Sequence, residues 1–174
     1  VQTIGYWVEA PGRGTLRPTG LPQVGADQLR LAARCTGVSA GTERLVGTGR
    51  VPPSAAATMA VPGMQGSFAL PILYGYSFVG TVQDGPERGR RVFTMHPHTD
   101  HAVVAASSCV PLPEAIPDAR ATLLPNLETA VNAVTTYDWL GRPLTVTLPG
   151  GAVQRFGYRA NVAWSVDPAG KWKR

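Results

Sequence analysis

Cysteine is nearly absent from this chain: Cys35 and Cys109 are the only two among 174 residues. Two cysteines build no disulfide framework, and neither has a second Cys at zinc spacing. Both read as small, buried apolar residues in a reducing, cytoplasmic setting. Long apolar runs are also lacking. None approaches the length of about 20 residues that a membrane helix needs, and no signal-peptide pattern stands at Val1, so no membrane partner is expected. Charged residues make up only 16% while hydrophobic ones reach 44%, which excludes a chain disordered throughout. Long helical patterns are few as well.

In their place stand 20 Gly and 16 Pro, which favour strands and turns. The length suits one ordinary domain, or one with a small appendage. Charge is uneven. Residues 1–134 hold ten Arg against nine acids, about +1, whereas residues 135–174 hold four Arg, two Lys and two Asp, so +4. A basic tail can contact nucleic acid. These cations are scattered among strand-like residues and not clustered on a helix, so a solvated surface is expected and nucleic-acid binding is not.

Strands are predicted over Val1–Glu9, Gln28–Cys35, Phe78–Gln83, Arg91–Met95, Ala102–Ala106 and Cys109–Pro113. Ala10–Gly20 reads as turn-rich, and Arg44–Met64 as loop with at most a short helix. Asp84-Gly85 signals a turn. One helix is expected, Asp118–Ala133, capped by Asp118 and striped by Ala119, Leu123, Leu127 and Ala130. So many short strands imply a closed or nearly closed β-barrel.

Two segments carry a resemblance. One is Cys35-Thr36-Gly37-Val38-Ser39-Ala40-Gly41-Thr42-Glu43, and the other is Leu70–Val82 with Gly75-Tyr76-Ser77 at its centre. In order and separation they resemble the N-terminal, GroES-like (chaperonin-10-like) domain of medium-chain, alcohol-dehydrogenase-like oxidoreductases. Gly89-Arg90-Arg91-Val92 and the Ala-rich stretch Leu124–Ala133 match further family pieces. Gly41-Thr42-Glu43, the missing Cys-rich lobe and His96-Pro97-His98 are most similar to the bacteriochlorophyllide-dehydrogenase-like branch. The resemblance covers residues 1–134. It implies a mainly β, partly open GroES-like barrel with one or two short helices.

Zinc-dependent members carry a Cys in the first segment and Gly-His-Glu in the second. In this chain Ser39 or Ala40 and Gly75-Tyr76-Ser77 occupy those places, so no metal is expected. Without a metal, a hydroxyl must polarise the substrate oxygen. The resemblance nominates Ser39, Thr42 and Tyr76 for that catalytic role, with Glu43, His96 and His98 lining the substrate cleft. His-x-His spacing would put both rings, followed by Asp100, on one strand face; Pro97 argues instead for a loop. Packing or surface exposure is the plainer reading of each of these side chains. Asn126 and Glu128 would contact cofactor only in a complete enzyme. No Gly-x-Gly-x-x-Gly occurs, and a complete cofactor domain needs roughly 130 further residues. No cofactor is expected in this chain, therefore, and NAD(P) only in a complete homologue.

Beyond Val134 the pattern changes. Tyr137-Asp138-Trp139-Leu140-Gly141-Arg142 opens a unit, and Phe156-Gly157-Tyr158-Arg159 a second, 21 residues on by their tyrosines, closing with Asp167-Pro168-Ala169-Gly170. These residues resemble the YD repeat of Rhs-type proteins, though Arg159 stands where Asp is usual. Two units cannot form the repeat's usual shell, so residues 135–174 are expected as a small β-hairpin extension. The domains are then 1–134 and 135–174, without a complete Rossmann domain, in a fused or truncated gene product. Three functions compete. The first is the substrate-side domain of a zinc-independent NAD(P)H dehydrogenase/reductase acting on a carbonyl or alcohol, inactive alone. The second is a non-catalytic binding or assembly module, with a homodimer as one form, using exposed Trp139, Trp164 and Trp172. The third is a piece of an Rhs-type protein.

Overall fold

The computed structural model describes residues 2–132, 134–137, 140, 142–148, 151–159 and 162–173, in two compact units, Val1–Leu124 and Pro125–Arg174. The first unit contains β1 (Gln2–Ala10), β2 (Arg13–Gly20), β3 (Gln28–Thr36), α1 (Thr42–Gly47), α2 (Ala56–Met59), β4 (Gln65–Gly66) and β5 (Ile72–Leu73). It continues with β6 (Phe78–Val82), β7 (Arg91–Thr94), β8 (His101–Ala105), β9 (Val110–Pro111) and α3 (Asp118–Ala121). Its strands form two sheets, ordered β2-β1-β5-β4 and β8-β3-β6-β7-β9.

One seam stitches these sheets together. The segment after β7 runs beside β1, with an isolated bridge between Gly5 and Thr99. The Tyr6 N–H donates to the His98 carbonyl at 2.9 Å, the Asp100 N–H to the Ile4 carbonyl at 3.0 Å, and the Ala33 N–H to the Asp100 carbonyl at 2.8 Å. The architecture is mainly β and GroES-like, and among the described residues no barrel closes.

Strand β6 shows why the apolar runs sit where they do. Phe78 and Val82 point into a core with Leu31, Val92, Ala102 and Val104, while Val79 faces the other way, against Phe93 and Ala121 of α3. Both faces are covered, so the strand reads as a continuous apolar run. Gly80 is required there: a Cβ would stand 2.7 Å from the Phe78 ring and 2.9 Å from the Ala32 carbonyl oxygen.

Three expectations are corrected. Ala10–Gly20 is not merely turn: most of it is β2, paired with β1 from Gln2↔Gly20 to Ala10↔Arg13. Its glycine and proline are tolerated because it is an edge strand, where Pro18 breaks no ladder, and because the Tyr6 ring lies over Gly14. The single helix over Asp118–Ala133 is two, α3 and α4 (Leu124–Asn132). Pro125 explains the break, since in a continuous helix its ring would clash one turn back and remove a hydrogen bond; in the first turn of α4 it costs nothing. Asp118 does not cap α3 either. Pro117 holds that position without a side-chain cap, and the Asp118 carboxylate accepts from Arg34 and, at 2.9 Å, from Arg91 Nε. Those partners, the Arg34 hydrogen bond foremost, hold its pKa below the ordinary carboxylate value.

The second unit is larger than one or two hairpins. Five strands, β10 (Val134–Tyr137), β11 (Pro143–Thr147), β12 (Val153–Arg159), β13 (Val162–Val166) and β14 (Trp172–Lys173), pair antiparallel in chain order. Tyr158 donates its hydroxyl to the Pro143 carbonyl at 3.0 Å, and the Arg142 guanidinium lies 4.5 Å over its ring. Asp138, Trp139, Gly141 and Gly150, like Ala133, lie outside the described residues. Trp164 is half-buried rather than exposed, its ring covering Gly157 and standing 4.9 Å from that of Trp172. Among the described residues no helix is long and apolar enough to cross a membrane.

Candidate functional site

The site is built on a glycine. Gly75 has φ +140°, and a Cβ there would stand 2.9 Å from the His98 ring. Only a residue without a side chain allows His98 to lie on the backbone at this point. On its other side the imidazole meets the Tyr6 ring edge-on, 6.5 Å between centroids. His98 is thereby 8% exposed.

From this berth the His98 Nε2–H donates to Glu43 Oε2 at 2.6 Å. Glu43 stands in the first turn of α1, and its other oxygen accepts the Ser39 backbone N–H at 3.0 Å. The carboxylate is thus clamped from both sides, and a residue 55 positions away orients the imidazole. A carboxylate held against one ring nitrogen fixes both the tautomer and the direction in which the other nitrogen points. Charge-assisted hydrogen bonds of this length are the stronger kind.

The remaining nominated residues divide. Thr42 neighbours Glu43 at the start of α1. Tyr76 packs its ring against the cluster of Val8, Val46, Ile72 and Tyr74. Tyr74 donates its hydroxyl to the Met59 carbonyl at 2.9 Å. Burial first, then the Glu43 charge and Tyr76, push the Tyr74 pKa up to about 12, so it stays protonated near neutrality. Ser77 donates to the Thr122 carbonyl at 2.6 Å, tying β6 to the end of α3.

His96 and His98 do not share a face. They lie on a loop after β7, and His96 turns toward Phe78, 5.5 Å between ring centroids, and Gly63. Its Nδ1 bonds the Pro97 carbonyl at 3.0 Å, and burial lowers its pKa. His101, half-buried at the start of β8, stands 3.3 Å from the Asp100 carboxylate. Asn126 and Glu128 are exposed on α4, in the second unit.

Beside His98 a groove of about 640 Å³ runs along the seam, walled by Ile4, Tyr6, Leu16 and Val38, with Cys35 and Thr36 among its other residues. The apolar walls are not legible as a site in the sequence: Ile4 and Tyr6 fall in the predicted strand Val1–Glu9, and Leu16 in the turn-rich stretch Ala10–Gly20. Burial, then the Asp118 charge, raise the Cys35 pKa, which makes this thiol a poor nucleophile. A second cleft, of about 600 Å³, contains Arg30, Asp84, Glu87 and Arg90. These charges answer one another there, Arg30 to Asp84 at 3.4 Å and Arg90 to Glu87 at 2.5 Å.

The side chains in this region do not suit a zinc ion. At the places where the resemblance puts zinc ligands, Ser39 contributes a backbone N–H to Glu43, Tyr76 is packed and Ser77 donates to Thr122. None is the thiolate or imidazole that zinc takes. Among the described residues no three His, Cys, Asp or Glu side chains gather as a metal site. For a dinucleotide, the sequence has no Gly-x-Gly-x-x-Gly turn.

No protein-family model matches the chain, and no curated protein matches it. Solved structures do. A probable oxidoreductase from Mycobacterium abscessus is similar at 20% identity and TM-score 0.58, over 75% of this chain and 42% of that one. An alcohol dehydrogenase superfamily protein from Novosphingobium aromaticivorans is similar at 24% identity and TM-score 0.58, over 75% and 41%. The quinone oxidoreductase of Thermus thermophilus, described also in complex with NADPH, is similar at 18% identity and TM-score 0.51, over 70% and 36%. The chain thus spans less than half the length of these proteins, and at such identities the likeness is one of fold. The fold they have in common with this chain is the one that alcohol- and quinone-handling oxidoreductases use for part of their structure.

Proposed function

We propose that residues 1–134 are the substrate-side domain of a zinc-independent, medium-chain-type oxidoreductase that acts on a carbonyl or alcohol with NAD(P)H held elsewhere. The observation that carries this reading is the seam groove, with its Glu43–His98 pair, on a fold similar to that of alcohol and quinone oxidoreductases. The chain's own part is to bind and orient substrate: apolar walls exclude water from one side, and His98 meets the polar end. Hydride chemistry belongs to the dinucleotide. The contact between Glu43 and His98 also supports the bacteriochlorophyllide-dehydrogenase-like branch, because it joins Gly41-Thr42-Glu43 to His96-Pro97-His98, the two segments that carry that likeness. The reading of residues 135–174 as a YD-like extension is supported by the antiparallel run of β10–β14 and by the bonded Tyr158. A reducing, cytoplasmic setting suits the two free thiols.

The test uses the purified chain with NADPH or NADH and a panel of aldehydes, ketones and quinones. The expected result is saturable binding of panel members by ligand-observed NMR, without nicotinamide oxidation above background. Absence of any binding sinks the substrate-side assignment, and turnover by the chain alone sinks the claim that it needs a second domain. An assembly role is favoured by one observation, Trp172 at 69% exposure beside Trp164 in a short edge strand. Light scattering tests it: a stable dimer supports assembly, and a monomer at all concentrations removes it.

A further inference from the structure

We propose that the seam groove binds flat apolar molecules carrying a phenolic hydroxyl, and that His98 Nδ1 accepts that hydroxyl's hydrogen bond. This rests on the groove being the substrate side, and goes further by naming the ligand's chemistry.

The hydrogen-bond pattern leads to it. At 2.6 Å, His98 Nε2 and Glu43 Oε2 must share a proton, since two acceptors would repel. Glu43 cannot turn away, because the Ser39 N–H holds its second oxygen. In the neutral imidazole the proton on Nε2 leaves Nδ1 as a bare acceptor. That Nδ1 is buried and has no hydrogen-bond partner. Buried polar atoms are almost always satisfied, and an exception marks either strain or a place where something binds. A ligand that donates satisfies this atom; a ligand that only accepts leaves it as it is. Recognition by an unsatisfied buried group is also the kind that discriminates sharply between analogues with and without the matching polar atom.

The walls supply the rest of the ligand. Ile4, Tyr6, Leu16 and Val38 are apolar yet 40%, 42%, 73% and 77% exposed around one groove. An apolar patch left open in this way marks a binding surface, and about 640 Å³ lies within the range of small-molecule sites. Tyr6 favours a flat ring, which it can meet face or edge. Its ring also meets the His98 imidazole edge-on, so it is the wall side chain whose movement would admit a hydroxyl to the buried Nδ1.

The experiment needs no nicotinamide, so its outcome is independent of hydride transfer. The full chain, labelled with ¹⁵N-histidine, is titrated with 2-naphthol and with 2-methoxynaphthalene, which has the same ring body without the donor. The expected result is binding of 2-naphthol about tenfold or more tighter than the ether, with movement of the His98 Nδ1 resonance only for the naphthol. Leu16→Asp, on an exposed wall, weakens both compounds, and His98→Phe removes the difference between them. Should His98→Phe fail to fold, the Nδ1 resonance of the unsubstituted chain decides. Equal affinities with an unmoved Nδ1 signal overturn the hydroxyl proposal and leave the groove as a substrate site. No binding by either compound, or no effect of Leu16→Asp, overturns both.

Discussion

Phe78 in the first unit and Trp164 in the second each lay an aromatic ring across a sheet, yet Phe78 is fully buried and Trp164 only half. The contrast is general. Among the described residues every buried one lies in the first unit. There two sheets, α1 and α3 cover one another, so β6 is enclosed on both faces. Among the described residues the second unit has a single five-stranded sheet, where Val146, Phe156, Trp164 and Val166 are half-buried and Leu144, Leu148 and Trp172 are exposed. Burial of apolar area is the main favourable contribution to folding. Both units use the same local device, an aromatic ring laid over a glycine of the neighbouring strand: Tyr6 over Gly14, and Trp164 over Gly157. The local device recurs, then, while the layered core does not, and stability should follow the core.

The sharpest way to break this comparison is to empty each ring's place. Phe78→Ala should cost the first unit about 3–5 kcal/mol. Trp164→Ala, removing a half-buried ring, should cost the second about 1 kcal/mol. Hydrogen exchange read by mass spectrometry follows each unit separately. Strands β3 and β6 should exchange slowest in the unsubstituted chain, and Phe78→Ala should release them. Equal losses from the two substitutions would show that the second sheet has a core of its own.

A middle-sized effect is expected at Gly75. Alanine there adds a Cβ 2.9 Å from the His98 ring, at a φ of +140°. Strain of this kind costs about 1–3 kcal/mol, and displacing His98 also loosens its bond to Glu43. Gly47→Ala is the control, since nothing stands within 4 Å of its added Cβ and its φ is ordinary. Thermal unfolding should drop for the first variant and hold for the second. If Gly75→Ala unfolds like Gly47→Ala, His98 does not depend on that close approach.

Much of the first unit could be read in advance because its strands carry their own evidence. Gln28–Cys35 reads as a strand and the structure has Gln28–Thr36; Phe78–Gln83 reads as a strand and the structure has Phe78–Val82. Phe78–Val82 is apolar because it is enclosed, while Gln28–Thr36 is mixed in composition and buries only Leu31. Strand β2 hid because an exposed edge tolerates Gly14 and Pro18, so nothing in its composition marks it. For the site, Glu43 and His98 were both nominated, on a resemblance, but their contact was not. It joins positions 55 apart and depends on how α1 and the loop after β7 meet, which no local pattern encodes. In the sequence Gly75 is only the first residue of Gly75-Tyr76-Ser77; in the structure it admits an imidazole.

The smallest effect concerns pH, and it separates two groups within the first unit. His96 is buried against Phe78 and Gly63, and burial lowers its pKa below the ordinary 6.5. The unfolded chain therefore takes up a proton near pH 6.5 that the folded chain still refuses. Stability rises with pH wherever the unfolded state binds more protons. The contribution is complete above pH 6.5 and falls away as pH drops through that value toward the folded pKa. Asp118 is lowered too, by Arg34 and Arg91, and its stabilising share is lost only at lower pH, below its ordinary 3.8. Denaturant midpoints measured between about pH 7 and pH 5 thus report histidine and leave Asp118 silent. The unsubstituted chain should lose stability across that interval, and His96→Gln should lose less. If the two slopes coincide, His96 is as easily protonated in the folded chain as in the unfolded one, and its enclosure in the core counts for nothing.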